Sequence, residues 1–228
     1  MNISAQDVIN AIFHPDDTVC LRIFDDRKEG IFTGAKMSVE AGKFFAVEST
    51  LKEHNQKNHG IFFVVNSGGQ TDDSITRINA QFVEMDDKTF EEQQALIDAF
   101  PLPPSMVIRT RKSLHTYWFV KEAKVSLFRP IQKALVQHFG GDSACVNESR
   151  VMRLPGFYHC KKEPVLVECI VSPGTKIHTG TADRKTAGFA RSRRTIKSTA
   201  AWRTERDRHC RSRMRFYQVL PGQCSCTF

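Results

Sequence analysis

Two acidic residues, Glu84 and Asp86, are the residues of this sequence whose types and spacing point most directly to chemistry. They lie in the segment 82–87, which follows a hydrophobic run over residues 75–83 and precedes a helical pattern. Because successive strand side chains point to opposite faces, the two carboxylates are expected to share one face. Adjacent carboxylates repel each other unless a cation lies between them, and Mg²⁺ and Mn²⁺ prefer oxygen ligands. Taken alone, the pair more readily indicates a solvated strand end.

Two further clusters change that interpretation. The segment 109–115 is basic and contains Ser113 and His115, and the segment 140–156 contains Asp142, two arginines and, shortly after it, a pair of lysines. Carboxylates that hold metal ions, together with Ser, His, Arg and Lys side chains that hold phosphate oxygens, are the components of nucleotidyl transfer. Two ions about 3.5–4 Å apart stabilise the attacking and leaving oxygens of such a displacement. Basic side chains neutralise the triphosphate charge.

In this order, E-x-D, S-x-H and a later Asp followed by R-x-x-R-L-P-G resemble the motifs of the archaeo-eukaryotic primase superfamily. More narrowly, they resemble the RepB-type primases of plasmids, phages and integrated mobile elements, over residues 58–172. The resemblance implies an α+β catalytic fold with a mainly antiparallel, RRM-like sheet. It also implies a DNA primase or primase-polymerase that makes or extends short primers on a single-stranded DNA template, using nucleoside triphosphates and Mg²⁺ or Mn²⁺.

The resemblance also implies roles for seven residues. The metal ligands and catalytic acids would be Glu84, Asp86 and Asp142, and the nucleotide would be held by Ser113, His115, Arg153 and Lys161. The family pattern has Asp where this chain has Glu84, so Asp86 is expected to be indispensable and Glu84 the more dispensable ligand. Arg150 and Lys162 compete with their neighbours for the basic roles.

Less specific interpretations stay open for these positions. Ser113 and His115 also fit an ordinary hairpin turn, Asp142 fits a turn after a helix, and Arg153 fits a structural strand residue. The aromatic run 117–119 is predicted to pack in the core rather than to stack on bases. At the level of the whole chain, the alternatives are a non-catalytic nucleic-acid-binding replication protein and a metal-dependent nuclease that uses the same acids.

Helices and strands of an α+β domain must position these groups. Helical patterns cover residues 5–13, 39–57, 89–100 and 125–139, and strand patterns cover residues 19–24, 31–37, 60–65, 106–109, 114–121 and 163–171. Turns are predicted at residues 25–30 and 110–113. Mixed helices and strands with at least two hairpins predict an α+β fold with a mainly antiparallel sheet.

The positive charge is concentrated at the C-terminal end. The chain has a net charge of +8, yet residues 173–228 contain 13 Lys and Arg against 3 Asp and Glu. Aliphatic periodicity also stops there, which predicts a primase-like domain over residues 1–172 and a basic, disordered or atypical tail that contacts nucleic acid.

Cysteine usage and hydropathy indicate the setting in which the protein works. Seven irregularly spaced cysteines favour a reducing, cytoplasmic interior, and neither a membrane span nor a secretory signal is predicted. No phosphate-binding G-x-x-x-x-G-K-[ST] loop occurs, so a replicative helicase would be a separate chain.

Overall fold

The computed structural model describes residues 3–171, and over this range the chain forms antiparallel sheets with four α-helices. The α+β class predicted from the sequence is confirmed. The predicted basic tail, residues 173–228, lies outside the described residues. No helix in the described range is long and apolar enough to cross a membrane.

The first half of the domain is a three-stranded antiparallel unit with two helices. Its elements are α1 (Ala5–Ile12), β1 (Thr18–Asp25), β2 (Ala35–Glu40), α2 (Phe45–Gln56) and β3 (His59–Val64). A 3₁₀ turn at Ala41–Lys43 separates β2 from α2. The predicted helix over residues 39–57 is therefore wrong at its start, because residues 39 and 40 pair with β1.

The second half carries the three predicted motifs. Its elements are β4 (Ala80–Val83), α3 (Phe90–Ala99), β5 (Met106–Arg109), β6 (Leu114–Phe119), α4 (Val125–Phe139), β7 (Val151–Arg153), β8 (Tyr158–His159), β9 (Val165–Leu166) and β10 (Glu168–Val171). Helix α4 has the predicted bounds, since Gly140 ends it in a left-handed conformation at φ +57°. The last predicted strand, residues 163–171, is divided into β9 and β10.

The strands form two four-stranded sheets rather than the single sheet that was predicted. The first has the order β2-β1-β3-β7 and the second the order β10-β5-β6-β4, while β8 and β9 form a separate pair. Helices α1 and α2 cover one face of the first sheet, with Val8, Leu51 and Phe63 fully buried in the shared core. Helix α4 packs on the second sheet, where Phe128 lies 6.0 Å from Phe82 between ring centroids.

A short buried hydrogen-bond cluster joins the two sheets side by side. The Asn66 carbonyl Oδ1 accepts the Asn79 N–H at 3.0 Å, and Asn79 Nδ2 donates to the Val65 carbonyl at 3.0 Å. The Val65 N–H in turn donates to the Arg150 carbonyl. Because these bonds connect the end of β3 with the segments before β4 and β7, they hold the strand that leads to Glu84 beside the segment that contains Arg150.

Candidate active site

A cavity of about 650 Å³ opens where the two sheets meet. Its lining contains Glu84 and Asp86, the histidines His115 and His159, and the basic residues Arg111, Lys112, Arg150, Arg153, Lys161 and Lys162. The lining comes from the ends of β3, β4, β6 and β7 and from the turn between β5 and β6. All three predicted motif regions therefore contribute to one cavity.

The acidic segment after β4 is anchored through its backbone. The Met85 N–H donates to Ser113 Oγ at 2.8 Å, and Met85 itself is buried with Val83. Glu84 and Asp86 line the cavity on the other side, as the strand alternation predicts. The strand itself ends at Val83. Glu84 and Asp86 therefore face the same side because of the Met85–Ser113 hydrogen bond as well as the strand pleat.

Asp142 is held against the same segment by the end of α4. Its N–H donates to the Glu84 carbonyl at 3.0 Å, one residue after Gly141. A Cβ on Gly141 would lie 2.6 Å from Val83 Cγ2 and 2.7 Å from the Glu84 carbonyl oxygen. A side chain at position 141 would push the two segments apart, so glycine permits the close approach of the two acids.

The Glu84 carboxylate is the most heavily contacted acid in the cavity. Its Oε2 lies 3.1 Å from His115 Nε2, and its Oε1 accepts from the Cys145 thiol at 3.1 Å and lies 3.5 Å from Arg150 Nη2. Burial opposes ionisation, but the hydrogen bond and charge of His115, with the charge of Arg150, outweigh it and hold the pKa of Glu84 well below its usual range. Glu84 is therefore ionised and fixed in position.

Asp86 has a different environment from Glu84. No hydrogen bond or ion pair is found for its carboxyl group among the described residues. Partial burial and the neighbouring negative charge of Glu84 raise the pKa of Asp86, with a further contribution from Asp142. Such unrelieved repulsion between carboxylates is what a bound cation would remove.

Glu84, Asp142 and Cys145 offer atoms that lie within 4.8 Å of one another. The two carboxylates are hard oxygen donors that fit Mg²⁺ or Mn²⁺, whereas a thiol is a soft donor that does not suit Mg²⁺. Burial and the charge of Glu84 raise the pKa of the Cys145 thiol, so the thiol keeps its proton and acts as a hydrogen-bond donor. The donor set thus fits the predicted ion through the carboxylates. Glu84 and Asp86 line the cavity, whereas Asp142 and Cys145 lie next to Glu84 outside the lining.

Ser113 is fully buried, and its hydroxyl is engaged by the Met85 N–H rather than directed into the cavity. The Ser113 N–H and carbonyl also bond Thr110, which closes the predicted turn. His115, on β6, does line the cavity, and its buried Nδ1 has no hydrogen-bond partner in the part of the chain that the structure describes. Its position beside Glu84 joins the second motif to the first.

Arg153 is already paired with a buried acid. Its Nη1 and Nη2 donate to Asp26 at 3.0 and 2.8 Å, and its guanidinium lies 4.5 Å from the centroid of the Phe62 ring. Asp26 also accepts the Cys160 N–H at 2.8 Å. This geometry favours the structural alternative for Arg153. Lys161, by contrast, lines the cavity.

Three cavity residues or neighbours had no role assigned from the sequence. Arg150, named only as a competitor, bridges Glu84 and Asp142, with its Nη2 3.1 Å from Asp142 Oδ2. Cys145 follows Asp142 by three residues, and nothing in its spacing marks it. Arg111 lines the cavity with Nε and Nη2 buried and unpartnered, a signal that only the tertiary structure carries. The aromatic run 117–119 packs in the interior as predicted, with Tyr117 fully buried.

Comparisons with known proteins agree with the motifs. Residues 70–173 match the family model of the RepB DNA-primase N-terminal domain. The primase-polymerase domain of cyanophage S-2L shares 27% identity at a TM-score of 0.64, over 74% of this chain and 88% of that chain. No curated protein matches the chain at a significant level.

Two structures of primase RepB′ share the fold at lower identity. One is 16% identical at a TM-score of 0.57, over 75% of this chain and 57% of that chain. The other, its catalytic domain in complex with initiator DNA, is 14% identical at a TM-score of 0.54, over 75% and 86% of the two chains. The predicted resemblance to RepB-type archaeo-eukaryotic primases is confirmed.

Proposed function

We propose that this chain, which matches the RepB-type primases in sequence motifs and in fold, is a metal-dependent nucleotidyltransferase that makes or extends short primers on single-stranded DNA. The observation that carries the proposal is the junction of Glu84 and Asp142 beside a cavity whose other wall is basic. The carboxylates at one end of the cavity suit the metal ions, and the cationic side chains at the other end suit the triphosphate. The replicated DNA would belong to a mobile element such as a plasmid or phage.

Each end of the cavity would do a separate part of the chemistry. Glu84, Asp86 and Asp142 would hold Mg²⁺ or Mn²⁺, which when bound polarises the phosphate oxygens and stabilises the charge of the displacement. A 3′-hydroxyl attacks the α-phosphate of the bound nucleoside triphosphate, the new P–O bond forms, and pyrophosphate leaves. His115 contacts Oε2 of Glu84 and Arg150 contacts Oε1, so the two residues together orient the carboxylate.

The triphosphate would lie toward the basic wall. Arg111 supports this because its buried Nε and Nη2 have no partner, and a buried guanidinium donor without an acceptor is costly. Lys112, Lys161 and Lys162 line the same cavity. Ser113 and Arg153 stay predicted nucleotide contacts, although the hydroxyl of the first and the guanidinium of the second already have protein partners.

Primer synthesis without a supplied primer tests the proposal. The full chain is incubated with single-stranded DNA, labelled nucleotides and Mg²⁺ or Mn²⁺, and short products are separated by size. We expect products from the wild type, none from Asp86→Asn or Asp142→Asn, and reduced synthesis from Glu84→Gln. Glu53→Gln, an exposed acid on α2, is the matched control and should keep full activity.

Other results would point to the alternatives. Tight DNA binding without synthesis by the wild type would favour the non-catalytic replication protein, and strand cleavage without synthesis would favour the nuclease.

The basic wall has a test of its own. Arg111→Ala should raise the nucleotide KM, whereas Lys133→Ala, at an exposed lysine on α4, should not. A separate helicase partner and a cytoplasmic location stay predictions.

A further inference from the structure

An aromatic ledge borders the cavity on the first sheet. It consists of Phe24 on β1 and Phe62 on β3, whose ring centroids are 5.3 Å apart at an edge-to-face angle of 72°. Phe62 lines the cavity, and Phe24 is 39% exposed although it lies on β1, an inner strand of the first sheet. Large exposed aromatic side chains beside a cavity commonly mark a binding surface.

The strand register shows which residues share the face of this ledge. Arg22 lies opposite both Lys36 on β2 and Phe62 on β3, and Phe62 lies opposite Arg153 on β7. Directly opposed residues point to the same side of a sheet, so one row across four strands reads Lys, Arg, Phe, Arg. The face therefore combines aromatic rings with positive charge.

The Phe62 ring is held in position, and Phe24 contacts it edge to face. Arg153 covers one face of Phe62, and the Arg153–Asp26 ion pair lies over Gly60, where a Cβ would meet Asp26 Oδ1 at 2.6 Å. Gly60 is the residue opposite Phe24, so no side chain on β3 covers that part of the ring. A preorganised ring loses little conformational entropy when a ligand stacks on it.

From these contacts we infer that the ledge of Phe24 and Phe62 is a stacking platform for single-stranded DNA entering the cavity. Phe24 stacks on a base, Phe62 supports Phe24 and forms the cavity wall, and Lys36 contacts the phosphate backbone. Every base offers a π-face, so such a platform tolerates any template sequence. The inference rests on the proposed function, because continuity with the cavity is what leads the strand from the ledge toward Glu84.

Charge decides in favour of nucleic acid over an apolar protein surface. The ledge is flanked on one side by the exposed Lys36 and by Arg22, whose guanidinium donates to Gln70, and opens on the other toward the basic wall of the cavity. A polyanion with aromatic bases satisfies both features at once, whereas an apolar partner would leave Lys36 without a counter-charge. Asp26, an acid beside the ledge, is ion-paired with Arg153.

Binding of a fluorescently labelled oligothymidylate, measured by anisotropy without metal or nucleotide, tests the inference. Phe24→Ala and Phe24→Leu are expected to weaken binding by roughly 5- to 100-fold, the range for one lost stacked base, while Phe24→Trp retains it. Leu preserves apolar area and removes the π-face, so it separates stacking from a hydrophobic contact. Full-length protein is used throughout, so any contribution from residues 173–228 is the same in every variant.

Two controls complete the experiment. Phe45→Ala, at a side chain 67% exposed on α2, should leave binding unchanged. Lys36→Ala should lower the slope of log Kd against log salt by about 0.7, as expected for one lost phosphate contact on a single strand, whereas Phe24→Leu should not change the slope. Wild-type affinity in Phe24→Ala, or in Phe24→Leu, would overturn the inference.

The result is independent of catalysis. If the wild type makes no primers but Phe24→Leu binds the oligonucleotide more weakly, the proposed function fails and the platform stands. If the wild type makes primers and Phe24→Leu binds DNA normally, the platform fails and the proposed function stands. Thermal unfolding of each variant confirms that the folded protein is being compared.

Discussion

The N–H of Asp142 donates to the carbonyl oxygen of Glu84 at 3.0 Å, so the backbone itself joins the third acidic motif to the first. The two residues lie at the ends of different elements, β4 and α4, and belong to motifs more than fifty positions apart. The hydrogen bond fixes the spacing of the two carboxylates before any ion binds. Geometry of this kind lowers the cost of assembling a metal site.

Replacing Gly141 should disturb this spacing. In Gly141→Ala the new Cβ would meet Val83 and the Glu84 carbonyl at 2.6–2.7 Å, so Asp142 must move away. We expect primer synthesis to fall by about 100-fold, the cost of a misplacement of roughly 1 Å. Gly42→Ala, whose Cβ would meet only Pro15 at 3.3 Å or more, serves as the control and should keep most of its activity.

The two acids of the first motif should behave differently in the metal-free protein. Because the pKa of Asp86 is raised, folding favours its protonated form, and the ionised carboxylate lowers stability at neutral pH. Asp86→Asn should therefore raise the melting temperature at pH 7, with the gain disappearing as the pH falls below about 4. Glu84→Gln should lower it, because His115 and Arg150 lose their counter-charge.

Both substitutions are expected to reduce primer synthesis. Asp86→Asn should therefore combine higher stability with lower activity, whereas Glu84→Gln should lower both. Thermal unfolding with and without Mg²⁺ measures the first quantity and product formation the second. A destabilised Asp86→Asn protein at neutral pH would contradict the repulsion between the two carboxylates.

Ser113 should act mainly through the acidic segment. Ser113→Ala leaves the buried Met85 N–H without its acceptor, which costs about 1–3 kcal/mol. We expect a lower unfolding free energy in urea together with slower primer synthesis. Ser105→Ala, which removes a similar acceptor from the Phe119 N–H, should destabilise the protein without slowing synthesis to the same extent. A higher nucleotide KM at unchanged stability would instead support the predicted triphosphate contact.

The ion pair between Arg153 and Asp26 should be needed for stability. Arg153→Ala leaves Asp26 buried with an uncompensated charge, and such a change costs about 3–5 kcal/mol. The double variant Arg153→Met with Asp26→Asn should lose less than Arg153→Ala alone. Urea unfolding of the wild type and the two variants checks this, and a stable Arg153→Ala protein with an increased nucleotide KM would show that the arginine serves the nucleotide.

His159 should make the fold sensitive to mild acid. Burial and the charge of Arg153 lower its pKa from 6.5 to about 4, so the folded state binds the proton more weakly than the unfolded state. The stability of the neutral form is fully present above pH 6.5 and is lost as the pH falls toward about 4. His159→Gln should flatten the unfolding free energy over this window, and an unchanged pH profile would contradict the assignment.

Local sequence patterns were sufficient for several elements and for the order of the motifs. Helix α4 has the predicted bounds because Gly140 accepts the left-handed conformation that ends it, and α3 begins directly after its cap residue Thr89, whose side chain accepts the Glu92 N–H. The predicted turn at residues 110–113 is also local, since the Ser113 N–H donates to Thr110 Oγ1. These features depend on residues only a few positions apart.

Long-range pairing decided what the local patterns left open. Residues 39 and 40 have helical neighbours but join β2, because β1 offers them backbone partners. Likewise the single predicted sheet became two, since β1, β2, β3 and β7 pair with one another while β4, β5, β6 and β10 form a second set. Pairing partners far along the chain compete with local propensity, and no window of sequence contains both.

By itself, the sequence determined the chemical inventory: which acids, which S-x-H and which basic residues are available, and in what order. Only the tertiary structure decided how they are shared. It bonds Arg153 to Asp26 across 127 positions and brings Cys145 to Glu84 across 61, while Arg111 lines the cavity with buried Nε and Nη2 atoms that have no hydrogen-bond partner among the described residues. The physical reason is that charges and hydrogen bonds act through space over a few ångströms, so the partner of each group is chosen by packing and not by its position in the chain.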